Sequence, residues 1–277
     1  MNSRKQELQL RHPKVSVINA GIDSRQEAAK TAVIAGGTSG IGLATAIDLA
    51  KAGYRRLILN GRDAERGATA VELVLQETPT CEVRFFQGDA SSEHISQKLI
   101  DSADEGIDLF VNAVPGDTPP KLFADFDMSN LSGLVNVHLE SVFRCAHAAY
   151  ARMRERRDGV IINIASDAAK IPTVGEAVHG ALMAAIDMFS RTLALEAARF
   201  GVRVHVITPS IVVHTHSYDR MMDGEFSEKL FKRALEKAAL GPVSPEDISP
   251  LIVFLASPAA KKMTGQRITV NGGIAIS

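Results

Sequence analysis

The sequence predicts a single α/β domain on a doubly wound parallel sheet, with helices on both faces in a three-layer sandwich. Three observations predict it. Short apolar strand-like runs recur from Thr31 onward, as a sheet covered on both faces requires. Helical patterns of ten or more residues separate them, which makes neighbouring strands parallel. A chain of 277 residues suits one such unit, and no composition break, repeat or low-complexity tract marks a second.

The first run is Thr31–Ala35, followed by a helix through Ile41, Ala44, Ile47 and Leu49. Strands are then expected at 56–60, from Cys81 to Phe86, and at 107–113. A long helical region reaches Arg154, and 160–165 reads as a buried strand. Another long helix ends near Phe200, a strand follows at 202–207, and 267–270 closes the series. The alternation is interrupted over 210–245. There Phe226, Leu230, Phe231, Ala234 and Leu235 recur at helical spacing and need an apolar surface. Ligands of an α/β sheet sit outside the carboxyl ends of its strands, so this loop and amphipathic helix read as a substrate lid. Residues 1–30 read as an extension with a short strand at Val15–Ile18, and residues 31–277 as the domain.

Composition narrows the partners. Acidic and basic residues nearly cancel, at a net charge of −1, which argues against nucleic acid or an anionic membrane. No apolar run approaches the roughly 20 residues of a membrane span. The first thirty residues lack a signal peptide's apolar core, and their acids (Glu7, Asp23, Glu27) argue against a transit peptide. The two cysteines, Cys81 and Cys145, have no metal-ligand spacing and suit a reducing compartment. The expectation is a cytoplasmic protein acting on a small molecule.

After the first strand comes Ala35, then Gly36, Gly37, Thr38, Ser39, Gly40, Ile41 and Gly42, running straight into a helix. Glycines permit the tight turn and a close backbone approach. The helix N-terminus then offers free N–H groups and partial positive charge to a pyrophosphate. The strand–turn–helix context makes this a dinucleotide cradle. From about Thr31 to Gly273 the chain resembles the short-chain dehydrogenase/reductase family, whose fold is of the Rossmann type. The glycine motif differs from the family's only in Ala35, which stands where the family has Thr. Further marks are Gly88-Asp89-Ala90, Gly159–Ser166 and Thr264–Gly273. The resemblance implies that Asp89 contacts the adenine edge, and that Ala90, Asn112 and Val212 belong to the cofactor set.

The second strand ends Leu59-Asn60-Gly61-Arg62. A site for NAD puts Asp or Glu at this strand end to bind the ribose 2′-hydroxyl. Gly61 carries no carboxylate, and Arg62 offers a guanidinium able to fork onto a 2′-phosphate. The expected cofactor is therefore NADP(H). The alternative for Arg62 is a surface charge paired with Asp63 or Glu65.

The reactive half departs from the family. Its chemistry uses a tyrosine, a lysine four residues later, a serine thirteen before, and an asparagine on the preceding helix. Ser166 matches the serine, but His179 stands at the tyrosine, Met183 at the lysine and His138 at the asparagine. After the fourth strand the family's N-N-A-G has become Asn112-Ala113-Val114-Pro115. After the sixth, His214 stands at the usual threonine, with Thr215 one residue late. A tyrosine near pKa 10 needs a neighbouring cation to serve near neutrality, whereas histidine, near 6.5, does not. Loss of the lysine is thus chemically consistent with His179 as acid/base, with Asp167 a candidate to orient the imidazole. Tyr218 is a candidate to replace the lost phenol. His138, His179, His214 and His216 lack the spacing of a metal site, and no metal is expected.

The leading expectation is an NADP(H)-dependent oxidoreductase acting on a small carbonyl or alcohol, an imine or an activated alkene. Ser166 and His179, with His138, form its catalytic set. Two alternatives are an inactive subunit partnering an active relative, and a redox-neutral isomerase or cyclase that keeps the dinucleotide. The resemblance implies assembly as a homodimer or homotetramer, or as a hetero-oligomer with an active relative. Met221, Met222 and Phe226 lean toward an apolar ligand.

Overall fold

Seven strands pair side by side and all in parallel, as their alternation with helices requires: β1 (Thr31–Ala35), β2 (Arg56–Gly61), β3 (Glu82–Gln87), β4 (Leu109–Asn112), β5 (Gly159–Ile164), β6 (Val202–Ile207) and β7 (Arg267–Ile268). Their order across the sheet is β3-β2-β1-β4-β5-β6-β7. The structure is a computed structural model that describes residues 29–114 and 118–276. Residues 1–28 of the expected extension, with the strand at Val15–Ile18, lie outside them.

Every side chain of β1 is buried, and alternate residues serve opposite layers. Ala32 and Ile34 pack into one core with Ala46 and Leu49 of α1 (Gly40–Lys51) and Ile252 and Leu255 of α9 (Pro245–Ala256). Val33 and Ala35 face the other core. It is built from α3 (Glu93–Asp101), α5 (Ser141–Arg156) and α6 (Ala177–Ala198) through Leu99, Ala146, Met153 and Leu193. Each fully buried Leu or Ile of these layers contributes about 1.5–3 kcal/mol. The helix α2 (Ala64–Glu77) begins at Asp63, whose carboxylate accepts from the Arg66 N–H at 3.0 Å.

Two expected elements differ. The long helical region is broken into turns at Phe123–Asp125 and Met128–Asn130, then α4 (Leu131–Val135), a π-helical turn (Asn136–Glu140) and α5. The lid holds two helices rather than one, α7 (His216–Met222) and α8 (Glu225–Leu235). Thr215 starts the first by accepting from the Tyr218 N–H at 3.1 Å, and extended Gly224 separates the second from it. Among the described residues no helix is long and apolar enough to cross a membrane.

Candidate active site

The strand order reverses between β1 and β4, and α/β sheets open a crevice at such a switch point. A cavity of about 290 Å³ lies there, walled by the residues that follow β1, β4, β5 and β6 and roofed by α7 and α8.

Its cradle depends on missing side chains. Gly36 has φ +74°, and a Cβ on it would lie 2.5 Å from the Ala113 carbonyl oxygen. A Cβ on Gly42 would lie 2.2 Å from the Gly36 oxygen. Loop, helix and β4 end therefore pack backbone against backbone. Ser39 begins α1 without a side-chain capping bond, so the first-turn N–H groups keep no side-chain acceptor, the arrangement that receives a phosphate. At the end of β2 a Cβ on Gly61 would lie 2.8 Å from Thr38 Cγ2, so the place of an NAD-type carboxylate is taken by Thr38. Arg62 and Arg66 both line the cavity. Asp63 pairs with Arg66 (3.3 Å) and not with Arg62, which has no ion pair among the described residues. These features fit a dinucleotide with an extra phosphate.

Of the expected cofactor residues, Gly36, Ser39, Gly40, Ile41, Arg62 and Val212 line the cavity. Thr38, Gly42, Asp89, Ala90 and Asn112 do not. Thr38 and Gly42 shape the loop from behind. Asp89 Oδ1 accepts from the N–H and hydroxyl of Ser91, at 2.9 and 2.8 Å. Ala90 is buried, its carbonyl accepting from Cys145 Sγ. Asn112 Oδ1 accepts from the Val114 N–H, while its buried Nδ2 has no partner. Pro115 lies outside the described residues.

The reactive half brings Ser166, His138, His179 and Met183 to one wall. Ser166 Oγ accepts from the Ala168 N–H at 3.2 Å, which leaves its hydroxyl hydrogen to donate. His138 is buried on the π-helical turn, with Nε2 at 3.0 Å from Thr118 Oγ1. A π turn adds a residue to the helix and re-aims its side chains, and such turns recur at functional sites. His179 lies in the first turn of α6, its Nδ1 buried and unpartnered. Burial, and next the neighbouring His138, lower its pKa to about 4. The expectation of an imidazole titrating near neutrality is therefore corrected, because the cavity penalises the cation. Met183 is buried where the family has its lysine.

Asp167 does not orient His179. Its Oδ2 accepts from Asn271 Nδ2 at 2.6 Å, and Lys170 Nζ lies 3.2 Å from its Oδ1. Lys170 also bonds the Thr269 hydroxyl. The pair holds the turn after β5 to the segment after β7. His214 takes a left-handed φ of +60° and leaves the cavity wall to Thr215, so the backbone absorbs the one-residue delay. His216 and Tyr218 line the cavity, but no metal-binding group of three or more His, Cys, Asp or Glu forms among the described residues. Met221 and Phe231 line it as well. Met222 and Phe226 do not, and Phe226 instead packs over Gly175, where a Cβ would lie 2.7 Å from its ring.

Among the polar wall residues that sequence reasoning missed are Thr118, Arg66, Glu176, Ser217 and Arg220. Arg66 was visible as a second arginine four residues beyond Arg62. Glu176 stands at the N-cap of α6 but makes no capping bond. Burial raises its pKa, opposed by a hydrogen bond with Thr173.

A family model described as enoyl-(acyl carrier protein) reductase matches residues 35–275. The chain belongs to the short-chain dehydrogenase/reductase family of oxidoreductases. It is 28% identical over 249 residues to the 3-oxoacyl-(acyl-carrier-protein) reductase FabG of Staphylococcus epidermidis, covering 88% of this chain and 98% of that relative. It is 30% identical over 249 residues to the acetoacetyl-CoA reductase of Allochromatium vinosum, covering 89% and 98%. A crystal structure of a variant actinorhodin polyketide ketoreductase with NADPH superposes with a TM-score of 0.81 at 26% identity, covering 89% of this chain and 97% of that one.

Proposed function

We propose that this chain is an NADP(H)-dependent oxidoreductase acting on a small carbonyl or alcohol, an imine or an activated alkene. The observation that carries the reading is the dinucleotide cradle with Arg62 and Arg66 beside a strand end that holds no carboxylate. Gly36, Ser39, Gly40 and Ile41 would hold the pyrophosphate, Arg62 and Arg66 the 2′-phosphate, and Val212 and Thr215 the nicotinamide end. When bound, the reduced nicotinamide supplies a hydride.

Ser166 donates its hydroxyl hydrogen to the reacting heteroatom. His179, neutral at physiological pH and a weaker base than a free imidazole, accepts a hydrogen bond there. His138, held by Thr118, fixes the wall behind it. The lid residues Met221 and Phe231 keep water from the site. The related reductases are, by name, a 3-oxoacyl-(acyl-carrier-protein) reductase, an acetoacetyl-CoA reductase and a polyketide ketoreductase, which supports reduction of a C=O bond here. Assembly as a homodimer or homotetramer, or with an active relative, accompanies this reading.

Fluorescence titration with NADPH and NADH tests it, alongside Arg62→Ala. Losing one charge-assisted contact, about 1.5–3 kcal/mol, is expected to weaken NADPH by roughly ten-fold or more and to leave NADH unchanged. Failure to bind either dinucleotide would overturn the reading.

A further inference from the structure

A ketone reduction needs a proton delivered to oxygen, and the groups that deliver it in this family are gone. His179 replaces the phenol, and Met183, buried in the same wall, replaces the cation that would have assisted it. Burial keeps the imidazole neutral. The wall has meanwhile acquired a carboxyl. Glu176 stands at the N-cap of α6, and its side chain makes no capping bond there. It lines the cavity half-buried and has no ion pair among the described residues. His138, His179, His216, Tyr218 and Arg220 face the same space from the π turn, α6 and α7, with Arg62 and Arg66 at the far phosphate end. Among the described residues the Glu176 carboxyl bonds Thr173 and pairs with no cation. A carboxyl kept from water without a cation is costly unless a ligand brings one.

We infer that the cavity takes a cationic substrate, a protonated imine, with Glu176 as its counter-ion and neutral His179 as acceptor for the iminium N–H. This rests on the oxidoreductase reading above and names its substrate class. The step balances without a proton relay. The new C–H bond forms with a hydride from a reduced nicotinamide dinucleotide, and the C=N π pair falls back on nitrogen as a lone pair. The iminium is reduced to a neutral amine, the dinucleotide is oxidised, and no proton moves. Replacing lysine by Met183 then removes a charge that would repel the substrate.

Two measurements test this. Calorimetric titration of the protein alone with tetrahydroisoquinoline, an ammonium ion at neutral pH, and with isochroman, its uncharged oxygen analogue, requires no turnover. The ammonium ion is expected to bind more tightly, and Glu176→Gln to weaken it by about ten-fold or more while leaving isochroman unaffected. Retained NADPH binding by Glu176→Gln shows that the variant is folded, and Glu176→Asp is expected to restore part of the affinity. Loss of cofactor binding by Glu176→Gln passes the test to Glu176→Asp, for which ammonium and isochroman binding unchanged from the wild type would overturn the inference. With NADPH, dihydroisoquinoline is expected to be reduced in preference to tetralone. Equal binding of the two saturated compounds, or an ammonium affinity indifferent to Glu176→Gln, would overturn the inference. Reduction of tetralone without dihydroisoquinoline would overturn it too and leave the oxidoreductase reading standing. Reduction of neither, with NADPH bound, would overturn both.

Discussion

The rings of His138 and His179 meet edge to face, their centroids 5.6 Å apart and their planes at 68°. One ring comes from the π turn and the other from the first turn of α6, so two elements meet through a pair that favours neutrality. Protonating either ring burdens the other.

That pairing sets the sign of an acid response. The folded pKa of His179 is about 4 against an ordinary value of 6.5, so the unfolded chain binds the extra proton between those values. Its stability is fully present above pH 6.5 and is lost as pH falls toward 4. His205, lowered to about 4 by burial and then by Arg203, adds a parallel loss. His179→Gln is expected to flatten the fall of denaturation midpoint between pH 6.5 and 4, leaving the part due to His205. An unchanged slope would show that His179 is not held neutral.

Gly42→Ala puts a methyl group where only 2.2 Å separates it from the Gly36 oxygen. Backbone must move, at about 1–3 kcal/mol. The expected result is a lowered Tm together with NADPH affinity reduced beyond measurement. Gly133→Ala, on α4, where a Cβ meets nothing within 4 Å and the backbone is not left-handed, serves as a comparison that leaves NADPH binding intact.

Lys170 and Asp167 are an almost wholly buried ion pair, their side chains 8% and 7% exposed. Lys170→Met leaves Asp167 charged and half-satisfied, and breaking such a pair costs about 3–5 kcal/mol. Urea unfolding is expected to show that loss. Substrate turnover is expected to fall further than NADPH binding, because the affected turn carries Ser166 and not the cradle.

Ser166→Ala removes the hydroxyl donor to the reacting heteroatom. Steady-state rates with the best substrate are expected to drop by about 10²-fold in kcat, with NADPH Kd unchanged. A variant as active as the wild type would remove Ser166 from the catalytic set.

The strands were readable because full burial leaves uninterrupted apolar runs, as at Ala32–Ala35 and Val160–Ile162. The cradle was readable because Gly36 and Gly42 are demanded by backbone contacts that no other residue satisfies. The lid's division into two helices was less plain, although Asp223-Gly224 marks the break. Glu176 escaped notice because an acid before a helix looks like a cap, and only coordinates reveal that the cap bond is not made. The partner of Asp167 was hidden for a different reason: Asn271 lies 104 residues away, and no local pattern reports on it.

That long separation has a consequence for biosynthesis. A chain leaving the ribosome N-terminus first presents β1, the glycine loop, α1 and β4 early, and these already contain the whole cradle. The turn carrying Ser166 gains its tether only when Asn271 and Thr269 emerge. A nascent or truncated chain that stops short of them would thus hold the glycine loop beside a Ser166 turn with no tether.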